Sequence, residues 1–281
     1  MKRLLWGALA VSLAMFSCKG KQAADVAGDV PQDTVDTATV DTTDIDTMEQ
    51  LITATPVPRA ADELFDDFLF NFSANRKLQM ERVAFPLKVV RRGDTSYVSR
   101  EAWQMERFFM RQDYYTVLFD NERQMDVVKD TSVNEAIVEK IYFNTGAVQQ
   151  YLFRRIRGAW MLLAMKTEAI SANRNGSFLE FYHRFVTDSA FQTESLGQTV
   201  VFVGPDPDDD FARMEGILTP DTWAAFAPEL PDRMIYNIVY GPPTPPGRTK
   251  IFVMRGIANG QEVEMSFHRE NDRWELDKLT N

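Results

Sequence analysis

Apolar side chains recur along this chain with two periods. Leu64, Phe65, Phe68, Leu69 and Phe72 fall at helical spacing, with Asp62, Glu63, Asp66 and Asp67 toward the start of the run. One apolar stripe, with acids in the first turn where they suit the dipole, predicts an amphipathic helix. Val83 to Val90 reads as a strand broken by Pro86, hence an edge or irregular one. Ser99 stands before Glu101 and Trp103 as an N-cap stands before a short helix. Tyr114 to Phe119, aromatic and β-branched, reads as a strand. Ile137 to Phe143, Ala147 to Ile156 and Trp160 to Lys166 then read as consecutive antiparallel strands, with turns at Thr145-Gly146 and Arg157-Gly158.

The whole order then returns. Phe178, Phe181 and Phe185 match Phe65, Phe68 and Phe72 at an offset of 113. Thr219 to Trp223 matches Ser99 to Trp103 at 120, each a hydroxyl cap followed by an acid and a Trp, and Ile235 to Val239 keeps that offset against Tyr115 to Phe119. Phe267 and Trp274 match Phe153 and Trp160 at 114, while Asn259-Gly260 and Asn271-Asp272 supply the last hairpin turns. Length changes fall in loops and leave the caps and aromatic anchors in register, as two copies of one fold require. Each copy is a helix lying across a curved antiparallel sheet, which buries one face of both elements. The expectation is an α+β protein of two tandem domains, 59–170 and 175–281.

Through the Phe-rich helix and the Phe-to-Trp hairpin, residues 60–281 resemble the cystatin-like, nuclear-transport-factor-two-like cone. The whole chain is similar to a family of uncharacterised Bacteroidetes lipoproteins defined only as a domain of unknown function (number 4348). The resemblance brings no catalytic residues with it.

Ahead of the repeats the pattern changes twice. Lys2-Arg3 leads an apolar run from Leu4 to Phe16 that is too short to span a bilayer, so residues 1–17 read as a secretory signal. The single cysteine of the chain, Cys18, follows at the cut site. This resembles a lipobox, with Met15 and Phe16 departing from its usual residues, and implies a lipid on Cys18 and a membrane anchor. Residues 18–58 form an acidic tether without an aromatic side chain; they cannot bury enough apolar area to order themselves. Inside it Asp-Thr-x recurs at Thr34, Thr37, Thr42 and Thr47. That triplet resembles a periplasmic O-glycosylation sequon of Bacteroidetes; the segment reads equally as a bare spacer. Lys19-Gly20-Lys21 lacks an acidic export cluster, so the expected location is the periplasmic side of the outer membrane.

Composition narrows the chemistry. A net charge of -10 is a poor match for nucleic-acid phosphates. One cysteine allows no intrachain disulfide. No catalytic motif, metal-ligand spacing or Gly-rich phosphate loop is present, so no catalytic residue, metal or cofactor is assigned. Asp206 and Asp208 to Asp210 lack the Gly and Glu of a calcium loop and read as the cap of a short helix starting near Phe211. His268 shares a strand face with Glu262, Glu264 and Ser266, and Arg154 suits an anion. His268, Glu264 and Arg154 are therefore the candidate ligand residues. The four Trp at repeated places read as core anchors. The expected function is non-catalytic binding of an envelope protein or glycan through a concave sheet face. The rival is an envelope hydrolase or isomerase with its pocket in the second domain.

Overall fold

The computed structural model describes residues 64–206, 208–242, 245 and 247–281. The signal segment, Cys18, and Thr34, Thr37, Thr42 and Thr47 of the tether lie outside the described residues.

The first copy opens with α1 (Phe65–Ala74), which buries Phe65, Phe68, Leu69 and Phe72, the stripe expected from the sequence. Each such side chain contributes roughly 1.5–3 kcal/mol on burial. The short helix α2 (Arg76–Arg82) follows, its N-cap Asn75 accepting from the Leu78 amide. Next come β1 (Val83–Arg91), β2 (Asp94–Val98), β3 (Tyr114–Phe119), β4 (Glu135–Tyr142), β5 (Ala147–Ile156) and β6 (Ala159–Ala169). The second copy runs α3 (Gly176–Thr187), α4 (Ser189–Glu194), β7 (Leu196–Asp206), β8 (Asp209–Leu218), α5 (Pro220–Trp223), β9 (Met234–Tyr240), β10 (Thr249–Gly256), β11 (Glu262–Glu270) and β12 (Arg273–Thr280).

The aromatic anchors of the two copies pack alike. Phe65 meets Trp160 with ring centroids 4.9 Å apart, and Phe178 meets Trp274 at 5.3 Å, both edge to face. Phe72 meets Phe153 at 5.4 Å and Phe185 meets Phe267 at 5.6 Å, each pair at an interplanar angle of 88°. Trp103, Trp160, Trp223 and Trp274 are all buried, as anchors should be.

The copies are interlocked rather than side by side. One sheet has the order β2-β1-β6-β5-β4-β9 and the other β3-β10-β11-β12-β7-β8, so each copy gives one strand to the other's sheet. At the crossing, the Leu118 amide donates to Asn237 Oδ1 at 2.8 Å and the Thr116 hydroxyl to the Tyr236 carbonyl. Both hydrophobic cores draw on both copies: Tyr236, Ile238, Ile251 and Val253 join the first, and Leu118, Ile141, Phe143 and Val148 the second. Glu139, buried beside the junction, accepts from Gln150, Asn173 and Asn237 at 2.9, 2.7 and 2.8 Å. The boundary expected at 170–175 therefore divides the chain but not the structure.

Two local expectations are corrected, and a third, that β1 is an edge or irregular strand, is met by its irregularity. Residues 209–218 form β8, antiparallel to β7, not a helix starting near Phe211; pairing to β7 satisfies their backbone groups better than a lone turn would. Ser99 does accept from the Ala102 amide at 3.3 Å, but the chain turns there and no helix follows. β1 is irregular, as Pro86 suggested, yet it lies inside its sheet, with β2 on one side and a register shift against β6 on the other.

Candidate functional site

The concave face of the first sheet carries the site. Side chains two residues apart share a face, and the registers align Arg91 with Thr167, Thr167 with Gln149, Gln149 with Lys140, and Lys140 with Tyr236 in one row. α1 covers one end of this face with its phenylalanines. Past its C-terminal end the face stays open.

The floor of the open end is a closed polar set. Buried Gln79 grips the Glu106 backbone from both sides: its Nε2 donates to the Glu106 carbonyl at 2.6 Å, and its Oε1 accepts from the Glu106 amide at 2.9 Å. The Glu106 carboxylate so placed accepts from Lys140 Nζ at 2.6 Å, the Tyr151 hydroxyl at 2.5 Å and the Phe108 amide at 3.0 Å. That last bond holds Phe108 at φ +43°, a left-handed conformation rare for a bulky residue. The rings of Phe108, Tyr151 and Tyr236 lie 5.7, 5.6 and 5.8 Å from the Lys140 ammonium, an aromatic box around a cation already ion-paired. Burial and the nearby Glu106 charge push the Tyr151 hydroxyl far above its ordinary range, and burial with the same carboxylate raises Tyr236 and Tyr142. These phenols stay protonated, and that of Tyr151 donates to Glu106. The floor holds shape and charge in place without a free acid or base of its own.

Beside this set, from Gln149 outward along the row, lies an open cavity of about 630 Å³, lined by Arg91, Arg92, Asp94, Ser96, Tyr142, Ala147, Gln149 and Thr167. The β1–β2 hairpin forms one wall, turning on Arg92 and Gly93 at φ +51° and +90°. The lining offers guanidinium, carboxylate, hydroxyl and amide groups on a largely apolar surface, with Tyr142 the one aromatic ring. The corresponding end of the second sheet is filled instead: the Phe202 ring lies over Gly204, where a Cβ would come within 2.5 Å of it, and meets Phe226 at 5.2 Å.

The candidates picked from the sequence fall elsewhere. His268 and Glu264 share one face of β11, the face turned away from α3, and the acid paired with His268 is Asp277 on β12, at 2.7 Å from Nδ1. Asp277 lines a separate groove of about 550 Å³ with Asn121, Glu122, Arg123, Thr249 and Ser266. Burial raises the Glu264 carboxyl, with Lys278 opposing. Arg154 lies on the other sheet, exposed and paired with Glu135 at 2.9 Å. His268 and Glu264 thus share a strand face four residues apart, with Ser266 between them, and Arg154 lies on the other sheet. Sequence reasoning missed Gln79, Glu106, Lys140, Tyr142, Gln149 and Arg91. The alternation of Lys140 and Tyr142 along β4 was visible; their partner Glu106, 34 residues from Lys140 along the chain, was not.

A helix across a curved sheet, with an open pocket at the wide end, defines the nuclear-transport-factor-two-like class. An NTF2-like protein of Bacteroides fragilis, known from a crystal structure, is similar to this chain at 42% identity and a TM-score of 0.72, over 80% of this chain and 98% of that one. The chain belongs to the family described as Domain of unknown function (DUF4348), matched over residues 44–281. No curated protein is similar to the chain. Among the described residues no helix is long and apolar enough to cross a membrane.

Proposed function

We propose that this protein is a non-catalytic glycan-binding lipoprotein of the cell envelope, held by a lipid on Cys18 and taking its ligand in the mouth of the first sheet. One observation carries the ligand-binding part: an open cavity of about 630 Å³, with guanidinium, carboxylate, hydroxyl and amide groups set on a largely apolar lining, lies beside a polar set whose charged groups already satisfy one another. A site of that size lies within the range of small-ligand pockets. Its hydroxyl, amide and guanidinium groups suit a ligand rich in hydroxyls, and Tyr142 offers a ring face for a sugar. A committed floor favours recognition over reaction. The lipid anchor rests on the Lys2-Arg3 segment and the position of Cys18, and the periplasm-facing side on Lys19-Gly20-Lys21 without an acidic export cluster.

Glycan-array binding with the full chain, repeated for Arg91→Ala and Tyr142→Ala, tests the ligand. The expected result is a defined set of bound glycans and a loss of about tenfold in each variant, the weight of one charge-assisted bond or one stacked ring. Absence of glycan binding by the wild-type chain, or unchanged binding in both variants, refutes the site. The anchor is tested separately by detergent-phase partitioning, which Cys18→Ala should abolish.

A further inference from the structure

A second cavity, of about 310 Å³, lies at the opposite end of the second sheet, where α3 begins against the start of β10 and the β11–β12 turn. Its walls carry Arg174, Arg248, Lys250 and Arg269 against Asp272, with Trp274 and Phe178 as the apolar side. Asp120 stands behind, ion-paired with both Lys250 and Arg174, while Arg269 pairs with Asp272 at 3.0 Å. Four cations therefore face three acids, since the buried Glu139 carboxylate also acts on Lys250, in a chain whose net charge is -10.

The arrangement differs from an ion-pair cluster that only supports the fold. Such a cluster balances its charges, because an uncompensated charge away from water is costly. Here Arg174, Lys250 and Arg269 are matched by three acids, and Arg248, exposed at the rim of the concavity, adds a fourth cation with no acid paired to it among the described residues. Asn175, at the N-cap of α3, offers its Oδ1 to Lys250 Nζ at 2.7 Å and makes no side-chain cap. Ser177 and Phe178 of the first turn line the cavity, so the positive end of the helix adds to the side-chain field. The guanidinium of Arg269 lies 5.9 Å from the Trp274 ring, whose Nε1 reaches Ser177 Oγ at 3.3 Å.

Comparison of the copies separates this feature from the shared scaffold. Lys250 pairs in register with Phe267, and the residue in register with the equivalent Phe153 is Ala136. The scaffold works with alanine at that place; the second copy alone has a buried lysine there.

We propose that this pocket binds a small organic molecule bearing a phosphate or sulfate group. Arg174, Arg248 and the start of α3 hold the oxyanion, and Trp274 packs against the organic part. This proposal does not depend on the mouth of the first sheet.

The test is titration of the full chain at low ionic strength, read by tryptophan fluorescence and calorimetry. Inorganic phosphate, inorganic sulfate and glycerol 3-phosphate are the ligands, and acetate is the control. Saturable binding of the three tetrahedral anions is expected, tightest for glycerol 3-phosphate. Arg248→Ala, at an exposed position and so without cost to folding, should weaken it about tenfold or more, while Arg92→Ala at the mouth leaves it unchanged. No saturable binding by the wild-type chain, equal affinity in Arg248→Ala, or acetate binding as well as phosphate would each overturn the proposal. So would binding of phosphatidylglycerol vesicles that glycerol 3-phosphate cannot displace, which would place the anion on a lipid surface.

Discussion

Gln79 and Gln192 stand 113 residues apart, the offset of the helix phenylalanines, and each ties the end of its copy's long helix to a tryptophan. Gln79 donates to the Phe72 carbonyl at 2.7 Å and accepts from Trp103 Nε1 at 3.2 Å. Gln192 donates to the Phe185 carbonyl at 3.1 Å and accepts from Trp223 Nε1 at 2.9 Å. Gln79 makes two further bonds, to the amide and carbonyl of Glu106, and is fully buried where Gln192 is only partly so. Truncation of a buried partner leaves its neighbours unsatisfied at about 1–3 kcal/mol each, reduced where water can reach them. Gln79→Ala should therefore cost about 3–5 kcal/mol, a value in the exceptional tail for single substitutions. Gln192→Ala, with two bonds and water nearby, should cost about 1–2 kcal/mol. Against a total stability on the order of 5–15 kcal/mol, the first variant is left marginal and the second is not. Equilibrium urea unfolding, followed by circular dichroism and tryptophan fluorescence, measures both from their midpoints if the slopes agree. Equal losses, or a larger loss for Gln192→Ala, would show that the Glu106 bonds do not stabilise the fold and would refute the reasoning.

Other consequences concern the interlock and the acid limb. The fragment 175–281 alone lacks β3, the neighbour of β10, and should not give a folded monomer by circular dichroism and NMR; a well-dispersed monomeric spectrum would show that the exchange of strands is dispensable. Burial alone would raise the Asp120 carboxyl, but the hydrogen bond and charge of Lys250, with the charge of Arg174, hold it below the ordinary 3.8. A depressed carboxyl stabilises the fold above its ordinary pKa and loses that stabilisation as pH falls through the folded value, so this contribution disappears below about pH 4. Asp120→Asn should cost about 3 kcal/mol at neutral pH, by leaving Lys250 without its counter-charge, and should flatten the stability curve below about pH 4. An acid limb as steep as that of the wild type would exclude Asp120 as its source.

Periodic stretches were legible and pairings were not. α1, α3 and the hairpins ending at Trp160 and Trp274 show in the sequence because their apolar spacing admits one reading. β8 was hidden because it lies at a sheet edge with Met214 and Ile217 exposed, which blurs its alternation, while the aspartates before it imitate a helix cap. Ser99 and Thr219 carry the same cap chemistry. Thr219 starts α5 because Pro220 fixes the first helical position and Thr222 returns the bond to the cap amide at 3.0 Å. After Ser99 the chain must instead carry Glu106 back to Gln79. The exchange of β3 and β9 left no trace, since an apolar strand pattern specifies which face is buried and not which neighbour it joins. The candidate site was hidden for the same reason: Lys140 and Tyr142 are local, while Glu106 and Arg91 reach them only through tertiary pairing.

Residues that kept their chemistry through the duplication are those the scaffold uses: the phenylalanines of α1 and α3, the two glutamines, and the tryptophans they hold. Residues that diverged lie toward the ends of the sheets. Arg91 and Gly204 stand at the offset of the helices, one facing an open polar cavity and the other lying under the Phe202 ring that fills the matching space. Ala136 and Lys250 stand at the same ladder position, one apolar and one binding Asp120. Because each core contains strands of both copies, a change that loosened either one would disturb both, which confines divergence to the ends of the sheets. The first copy thus left its wide end open while the second closed that end and acquired a charged pocket at the other. Two cavities of different lining on one interlocked frame follow from that constraint, since each end that diverged could change its side chains without altering the packing between the sheets.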